Sequence, residues 1–192
     1  MEKKKDAITK SFASASAWEK WLAANYTKDE GIWLRIFNKA SGKKTVTYAE
    51  ALDDALCYGW IDGQKKKFDS DSWIQKFTPR RKGSIWSKRN IEHIERLTKE
   101  NRMKAPGLKA IDTAKKNGQL AAAYDSPSNS TTPEDFLKLL EKNKKAKDFF
   151  DSLNKTNKFA ITWRLQTAKK PETREKRMNT ILEMLAKGEK FH

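Results

Sequence analysis

Residues 58–90, YGWIDGQKKKFDSDSWIQKFTPRRKGSIWSKRN, decide the fold of the first half of this chain. Side chains alternate in character over 60–67 and over 72–78, which predicts two strands. The segment Phe-Asp-Ser-Asp at 68–71 is typical of the turn that joins them. Alternation over 31–37 predicts a third strand just upstream. The sequence therefore predicts a small antiparallel sheet.

Helix signals flank these strands. Trp18, Trp21 and Leu22 are spaced as on one helix face and predict a short helix that ends near Asn25. Thr47 and Glu50 form a capping-box pair, which predicts a helix over 48–58. Residues 1–13 are expected to be a loose basic tail. The first half is thus a sheet with helices.

The second half is predicted to be helical throughout. Pro106, Pro133 and Pro171 stand where helices begin, because proline is favoured in the first turn of a helix. Residues 119–132 are rich in turn-forming side chains and are the best candidate for a linker. We therefore expect an α+β protein, with an α+β domain over 14–118 that holds a short antiparallel sheet. A helical C-terminal region over 132–192 is expected to pack on it.

The charge balance favours anionic partners. The chain of 192 residues has 41 basic and 25 acidic residues, a formal net charge of +16. Such a charge attracts nucleic acid, phosphorylated small molecules or an anionic membrane surface, although a solvated lysine-rich surface gives the same balance. Five of the arginines fall between Arg80 and Arg102. This region is a local excess of positive charge.

The composition also disfavours several classes of site. Cys57 is the only cysteine, so no intrachain disulfide can form, and a reducing, cytoplasmic location is expected. We expect Cys57 to be a buried apolar group. His93 and His192 are too few for a histidine–cysteine metal site, and no glycine-rich phosphate loop is present. We expect no metal, no cofactor and no membrane insertion.

The turn Phe-Thr-Pro-Arg-Arg at 77–81 is the main candidate for a binding site. Proline fixes the turn, and forked guanidinium groups match carboxylate or phosphate geometry, although arginine pairs also serve as interdomain salt-bridge hubs. Asp62 is either a turn aspartate bonded to nearby backbone or an acid in a tryptophan-lined pocket. By contrast, Asp53 and Asp54 are expected to be solvated on the outer side of their helix. No catalytic residue is predicted, and the predicted ligand-binding residues are Trp60, Asp62, Gln75, Phe77, Arg80, Arg81 and Trp86.

Four segments resemble the bacterial YdeI/OmpD-associated family of bacteriocin-protection proteins. They are TYAEALDDALCYGWIDG at 47–63, FTPRR at 77–81, SIWS at 84–87 and AKKPETREKR at 168–177. The resemblance implies an association with protection against bacteriocins or cationic antimicrobial peptides, and with an outer-membrane porin. It implies no catalytic residue. A chain of charge +16 repels a cationic peptide at long range, so direct capture of such peptides is disfavoured.

Three functions remain open from the sequence. The first is a non-enzymatic cytoplasmic binding protein of this stress-resistance family that recognises an anionic small molecule or an anionic protein surface. The second is a nucleic-acid-binding protein that uses the basic region from Arg80 to Arg102 with its tryptophans. The third is an enzyme of unknown type centred on Asp62. The oligomeric state is left open.

Overall fold

The computed structural model describes residues 7–126 and 129–191. The described residues divide into two compact units. The sheet unit contains the described residues up to Ser84, together with Asn90–Leu120. The helical unit contains Ile85–Arg89 and the described residues from Ala121 onward.

The sheet unit is built on four strands in the order β1-β2-β4-β3. They are β1 Thr9–Ser11, β2 Ile32–Phe37, β3 Trp60–Lys67 and β4 Ser72–Pro79. The β2–β4 and β3–β4 pairs are antiparallel, as the sequence predicts, whereas β1 pairs with β2 in parallel. The α+β class is confirmed, with a sheet that is mixed because of β1.

The expectation of a loose tail is wrong for residues 9–11, which form β1. Trp33 N donates to Ile8 O at 2.9 Å, and Val46 N donates to Phe12 O at 2.9 Å. These bonds satisfy the backbone N–H groups of Trp33 on β2 and of Val46 in the loop before α2, and such backbone bonds do not depend on apolar side chains. Strand β1 has only three residues, all of them polar, so its sequence shows no alternation of polar and apolar side chains. Residues 1–6 of the predicted tail lie outside the described residues.

Four helices accompany the sheet. They are α1 Ala15–Asn25, α2 Tyr48–Cys57, α3 Lys88–Lys99, of which residues 90–99 belong to the sheet unit, and α4 Ala105–Lys116. The predicted capping box is confirmed: the Glu50 backbone donates to the Thr47 hydroxyl at 3.3 Å, and the Thr47 backbone donates to the Glu50 carboxylate at 2.8 Å. This reciprocal pair fixes where α2 begins.

The core of the sheet unit lies between one face of the sheet and helices α1 and α2. Trp18 and Trp60 are fully buried there. The Trp18 indole N–H donates to Ala51 O at 3.1 Å, and the Trp60 indole N–H donates to Tyr26 O at 2.8 Å. Both rings are therefore buried without an unsatisfied donor, whose burial would be costly. The β2 side chains that point into this core are Ile32, Leu34 and Ile36.

The helical unit confirms the all-helical C-terminal half. It contains α5 Glu134–Glu141, α6 Lys144–Ser152, α7 Lys155–Gln166 and α8 Pro171–Ala186. Its buried core consists of Phe136, Leu140, Ala146, Phe150, Ile161, Leu165, Ile181 and Leu185. No helix within the described ranges is long and apolar enough to cross a bilayer.

Two asparagines divide the C-terminal helices. The side chain of Asn143 accepts from Ala146 N at 3.1 Å, and that of Asn154 accepts from Asn157 N at 3.0 Å. Asparagine is a strong N-cap because its side-chain oxygen satisfies one of the free N–H groups of the first turn. These caps fix the residues at which α6 and α7 begin. The spacing of apolar residues alone would predict a nearly continuous helix through this stretch.

Gly107 supports a close approach of α4 to the end of α2. A Cβ built at Gly107 would overlap the carbonyl oxygen of Cys57 and lie 2.8 Å from Met103 Cε. We predict that Gly107→Ala lowers the free energy of unfolding by about 1–3 kcal/mol, because the backbones must move apart. Urea denaturation measures it. The control is Gly83→Ala, where nothing lies within 4 Å; equal stabilities of the two variants would contradict the packing account.

Candidate functional site

Three of the predicted ligand-binding residues lie in the core of the sheet unit. Trp60 and Phe77 are 0% exposed and Gln75 is 3% exposed. The Gln75 side-chain amide donates to Gly63 O at 2.9 Å. In this conformation their side chains offer almost no surface to a ligand, so their binding role stays a prediction.

Asp62 is half-buried on β3, where the pairing register with β4 shifts between Asp62 and Lys65. The Tyr48 hydroxyl donates to Asp62 Oδ2 at 2.8 Å. The Asp62 carboxylate thus has a side-chain partner on α2. The enzymatic and ligand-binding roles of Asp62 stay predictions.

The arginine turn is held by its backbone. Arg80 N donates to Gly59 O at 2.9 Å, and Arg81 N donates to the Ser84 hydroxyl at 2.9 Å. The Arg81 side chain is exposed and that of Arg80 is half-buried. Trp86, the last predicted binding residue, is buried and belongs to the helical unit, whereas the other six belong to the sheet unit.

The expectation that Asp53 and Asp54 are solvated is wrong. Asp54 is 6% exposed and accepts from the Arg102 guanidinium at 2.8 Å. Asp53 Oδ1 lies 2.8 Å from His93 Nδ1, and Asp53 Oδ2 lies 2.6 Å from the Arg96 guanidinium. Two arginines of the basic region from Arg80 to Arg102 are therefore engaged in ion pairs that join α2 to α3 and to the turn after it.

The pKa values of Asp53 and Asp54 are shifted in opposite directions by burial and ion pairing. Burial raises the pKa of Asp54 to about 6, although the charge and hydrogen bond of Arg102 oppose it. Burial also acts to raise the pKa of Asp53, but hydrogen bonds from Arg96 and His93 outweigh it and lower that pKa. Burial raises the pKa of the Cys57 thiol to about 11, and Cys57 is confirmed as a buried residue. Within the described residues, no group of three or more His, Cys, Asp or Glu side chains is placed to hold a metal.

The helical unit contains a pocket of about 450 Å³ between α7 and α8. Its walls combine three kinds of side chain: cationic, hydroxyl-bearing and apolar. The lining residues are Trp163, Arg164, Thr167, Thr173, Lys176, Arg177, Thr180, Ile181 and Phe191.

Two arginines of α8 supply hydrogen bonds to the end of α7. The Arg177 guanidinium donates to Arg164 O at 2.6 Å and to the Thr167 hydroxyl at 3.4 Å. The Arg174 guanidinium donates to Leu165 O at 3.0 Å. The last carbonyl groups of a helix have no partner within it, and cationic side chains there also interact favourably with the helix dipole.

The pocket gathers positive charge that carboxylates do not neutralise. Arg174 pairs with Asp135 through two contacts of 2.6 and 2.7 Å. Neither Arg164 nor Arg177 has a carboxylate within ion-pair distance among the described residues. The Arg164 guanidinium lies 3.6 Å from the centroid of the Phe191 ring, and burial followed by the charge of Arg177 lowers the pKa of Arg164. An anion in the pocket would relieve that repulsion.

Comparison with known families assigns both halves of the chain. Residues 10–110 match the family described as Domain of unknown function (DUF8412), and residues 129–188 match the family described as Bacteriocin-protection, YdeI or OmpD-Associated. The chain belongs to the DUF8412 family and carries a C-terminal bacteriocin-protection domain. The predicted family resemblance is confirmed. No curated protein and no solved structure is significantly similar to the chain.

The pocket lies in the bacteriocin-protection domain, since only Phe191 of its lining residues falls outside 129–188. Sequence reasoning placed the binding site at Arg80 and Arg81 and missed this pocket. The segment at 168–177 nevertheless contains Thr173, Lys176 and Arg177. A usable signal was the spacing of Arg174 and Arg177 after Pro171, which puts both on one side of a helix.

The pKa of Asp54 leads to a test of the acidic pair. The pKa of Asp54 in the folded protein is about 6, which is higher than the value of about 3.9 in the unfolded chain. Protonated Asp54 therefore stabilises the fold below about pH 3.9, and this stabilisation is lost as the pH rises through about 6. We predict that the free energy of unfolding of Asp54→Asn, measured relative to that of the parent, increases by about 1–2 kcal/mol from pH 4 to pH 7. Asp53→Asn should behave oppositely and at lower pH, because the lowered pKa of Asp53 stabilises the parent above about pH 4 and this stabilisation is lost as the pH falls further. Urea unfolding from about pH 2 to pH 7 compares them, and parallel curves for all three proteins would contradict the assignment.

Proposed function

We propose that this protein is a non-enzymatic binding protein that takes up a small anionic molecule in the pocket of its bacteriocin-protection domain. The observation that carries the proposal is the pair Arg164 and Arg177, whose charges line the pocket without a carboxylate partner among the described residues. Guanidinium groups bind phosphate and carboxylate through two parallel hydrogen bonds, and such charge-assisted bonds are strong in protected sites.

The lining supports a ligand with two chemical parts. Lys176 adds a third positive charge, and the hydroxyls of Thr173 and Thr180 offer hydrogen bonds to an oxyanion. Trp163, Ile181 and Phe191 form an apolar wall that suits a flat ring system. A volume of about 450 Å³ falls in the usual range for small-molecule sites. The ligand class that fits is a phosphate, sulfonate or carboxylate attached to a flat apolar group.

The same lining favours binding over catalysis. The described residues around the pocket include no carboxylate, imidazole or thiol. These are the side chains that most often act as general acid, general base or nucleophile near neutral pH. We also propose a cytoplasmic location, which a chain with one cysteine and no intrachain disulfide supports.

The proposal gives the family description a chemical basis. Bacteriocin protection could be direct or indirect, and a chain of charge +16 with a cationic pocket repels cationic peptides. An anionic ligand agrees in sign with both the pocket and the whole chain. We therefore propose that any protective effect depends on an anionic ligand rather than on capture of the peptide.

A fluorescent aromatic sulfonate tests the pocket. Anilinonaphthalene sulfonate joins an anionic group to a flat ring system, and N-phenylnaphthylamine is a neutral relative that lacks the sulfonate. We predict saturable binding of the sulfonate, weakened about tenfold by Arg177→Gln because one charge-assisted contact is lost. Fluorescence titration measures the Kd, and the neutral probe should bind Arg177→Gln and the parent equally.

Arg177 also caps α7, so a second variant separates binding from stability. Lys176→Gln removes a positive charge from the pocket lining and leaves the α7 carbonyls untouched. It should weaken the sulfonate severalfold without changing Tm. Lys145→Gln on α6 is the matched control, since Lys145 is exposed and does not line the pocket. Equal affinities for the parent, Lys176→Gln and Arg177→Gln would refute the proposed site.

A further inference from the structure

The second face of the sheet carries aromatic and cationic side chains together. Strand register places Trp33 beside Lys76, and it places Arg35 and Lys66 on either side of Ile74. Phe37 follows Arg35 on the same face of β2, since side chains alternate along a strand. We call the set Trp33, Arg35, Phe37, Lys66, Ile74 and Lys76 the open face.

The opposite face carries the core, which identifies the open face as the outer one. Trp18 of α1 packs against Phe77 with ring centroids 5.5 Å apart, and Tyr48 of α2 packs against Trp73 at 6.1 Å. Trp33 and Phe37 belong to the other side of β2 and are half-buried. Phe68, in the turn after β3, is 49% exposed.

Cations lie over each of these rings. The ammonium groups of Lys66 and Lys76 are 4.8 and 5.4 Å from the centroid of the Trp33 indole. The Arg35 guanidinium lies 4.5 Å from the Phe37 ring and 4.6 Å from the Phe68 ring. The open face therefore presents flat rings in direct contact with positive charge.

We propose that the open face binds single-stranded nucleic acid. Every base has a π-face that can stack on an aromatic ring, and a basic groove beside such rings follows the phosphate backbone. Trp33 and Phe37 are four residues apart on one strand, about 13 Å, which separates two stacking positions. Lys66 is exposed, and cation–π contacts at exposed sites are weak, so its ammonium group can leave the ring for a phosphate.

The charge of the hairpin matches this ligand. Lys66 projects onto the open face from β3, where it pairs in register with Ile74, and Lys76 projects onto it from β4. The Lys76 ammonium also donates to Glu30 O at 2.9 Å. Both carboxylates of the turn already form ion pairs, Asp69 with Arg35 and Asp71 with Lys43. Duplex DNA keeps its bases paired and stacked, so it can offer phosphates but no free base. The open face should therefore prefer single strands.

The test is fluorescence anisotropy with a labelled twelve-nucleotide oligothymidylate, an oligouridylate of the same length and a matched duplex. We expect both single strands to bind more tightly than the duplex, and comparison of the two shows whether the sugar matters. Trp33→Ala should weaken single-strand binding about tenfold, because a stacking platform is lost. Trp33→Phe, which keeps a ring, should retain most of it.

A lysine double variant keeps the proposal testable if Trp33→Ala does not fold. Lys66→Gln with Lys76→Gln should weaken binding and reduce the slope of log K against log salt by about 1.4, the expectation for two phosphate contacts on a single strand. The control, Lys109→Gln with Lys115→Gln on α4, removes the same charge from exposed positions outside the sheet. Tighter binding of the duplex, or equal losses for the two double variants, would overturn the proposal.

Discussion

The last turn of α7 presents carbonyl groups that have no hydrogen-bond donor within that helix. The positions of the arginines on α8 depend on how these carbonyl groups are satisfied. Arg174 and Arg177 of α8 supply the donors. A guanidinium group has more donors than a carbonyl can use, so each arginine retains capacity for a second partner. Arg174 uses its remaining donors to bind the Asp135 carboxylate, whereas the Arg177 guanidinium lines the pocket beside Arg164. Helix capping thus places positive charge where an anion can reach it.

The sheet unit uses its arginines differently. Arg96 and Arg102 are neutralised by Asp53 and Asp54, so they connect α2 to α3 and the turn after it. Burial of the Asp54 carboxylate is tolerated because a guanidinium faces it, although removing a charge from water remains costly. The cations that stay exposed in this unit include the lysines beside Trp33 on the open face. The two units therefore carry their positive charge in different settings: a partly open pocket between α7 and α8, and the open face of the sheet.

Local patterns predicted the parts of the fold that depend on local chemistry. The strands over 60–67 and 72–78 follow from alternation, and α2 begins where Thr47 and Glu50 cap each other. Strand β1 was missed because its pairing depends on backbone bonds rather than on side chains. The burial of Asp54 and the Arg164–Arg177 pocket were missed because each brings together side chains from separate parts of the chain. Such contacts are set by tertiary packing, which periodicity does not encode.

The most direct test of the central claim is an NMR titration of the labelled protein with inorganic phosphate, against chloride at the same ionic strength. We predict saturable shifts confined to the Trp163 indole N–H and to the amides of Thr167, Thr173 and Thr180, because these groups surround an arginine pair with no carboxylate partner among the described residues. Saturable shifts centred on Arg81 would instead indicate that the anion binds at the arginine turn. Equal responses to phosphate and chloride throughout the helical unit would contradict an anion-binding pocket.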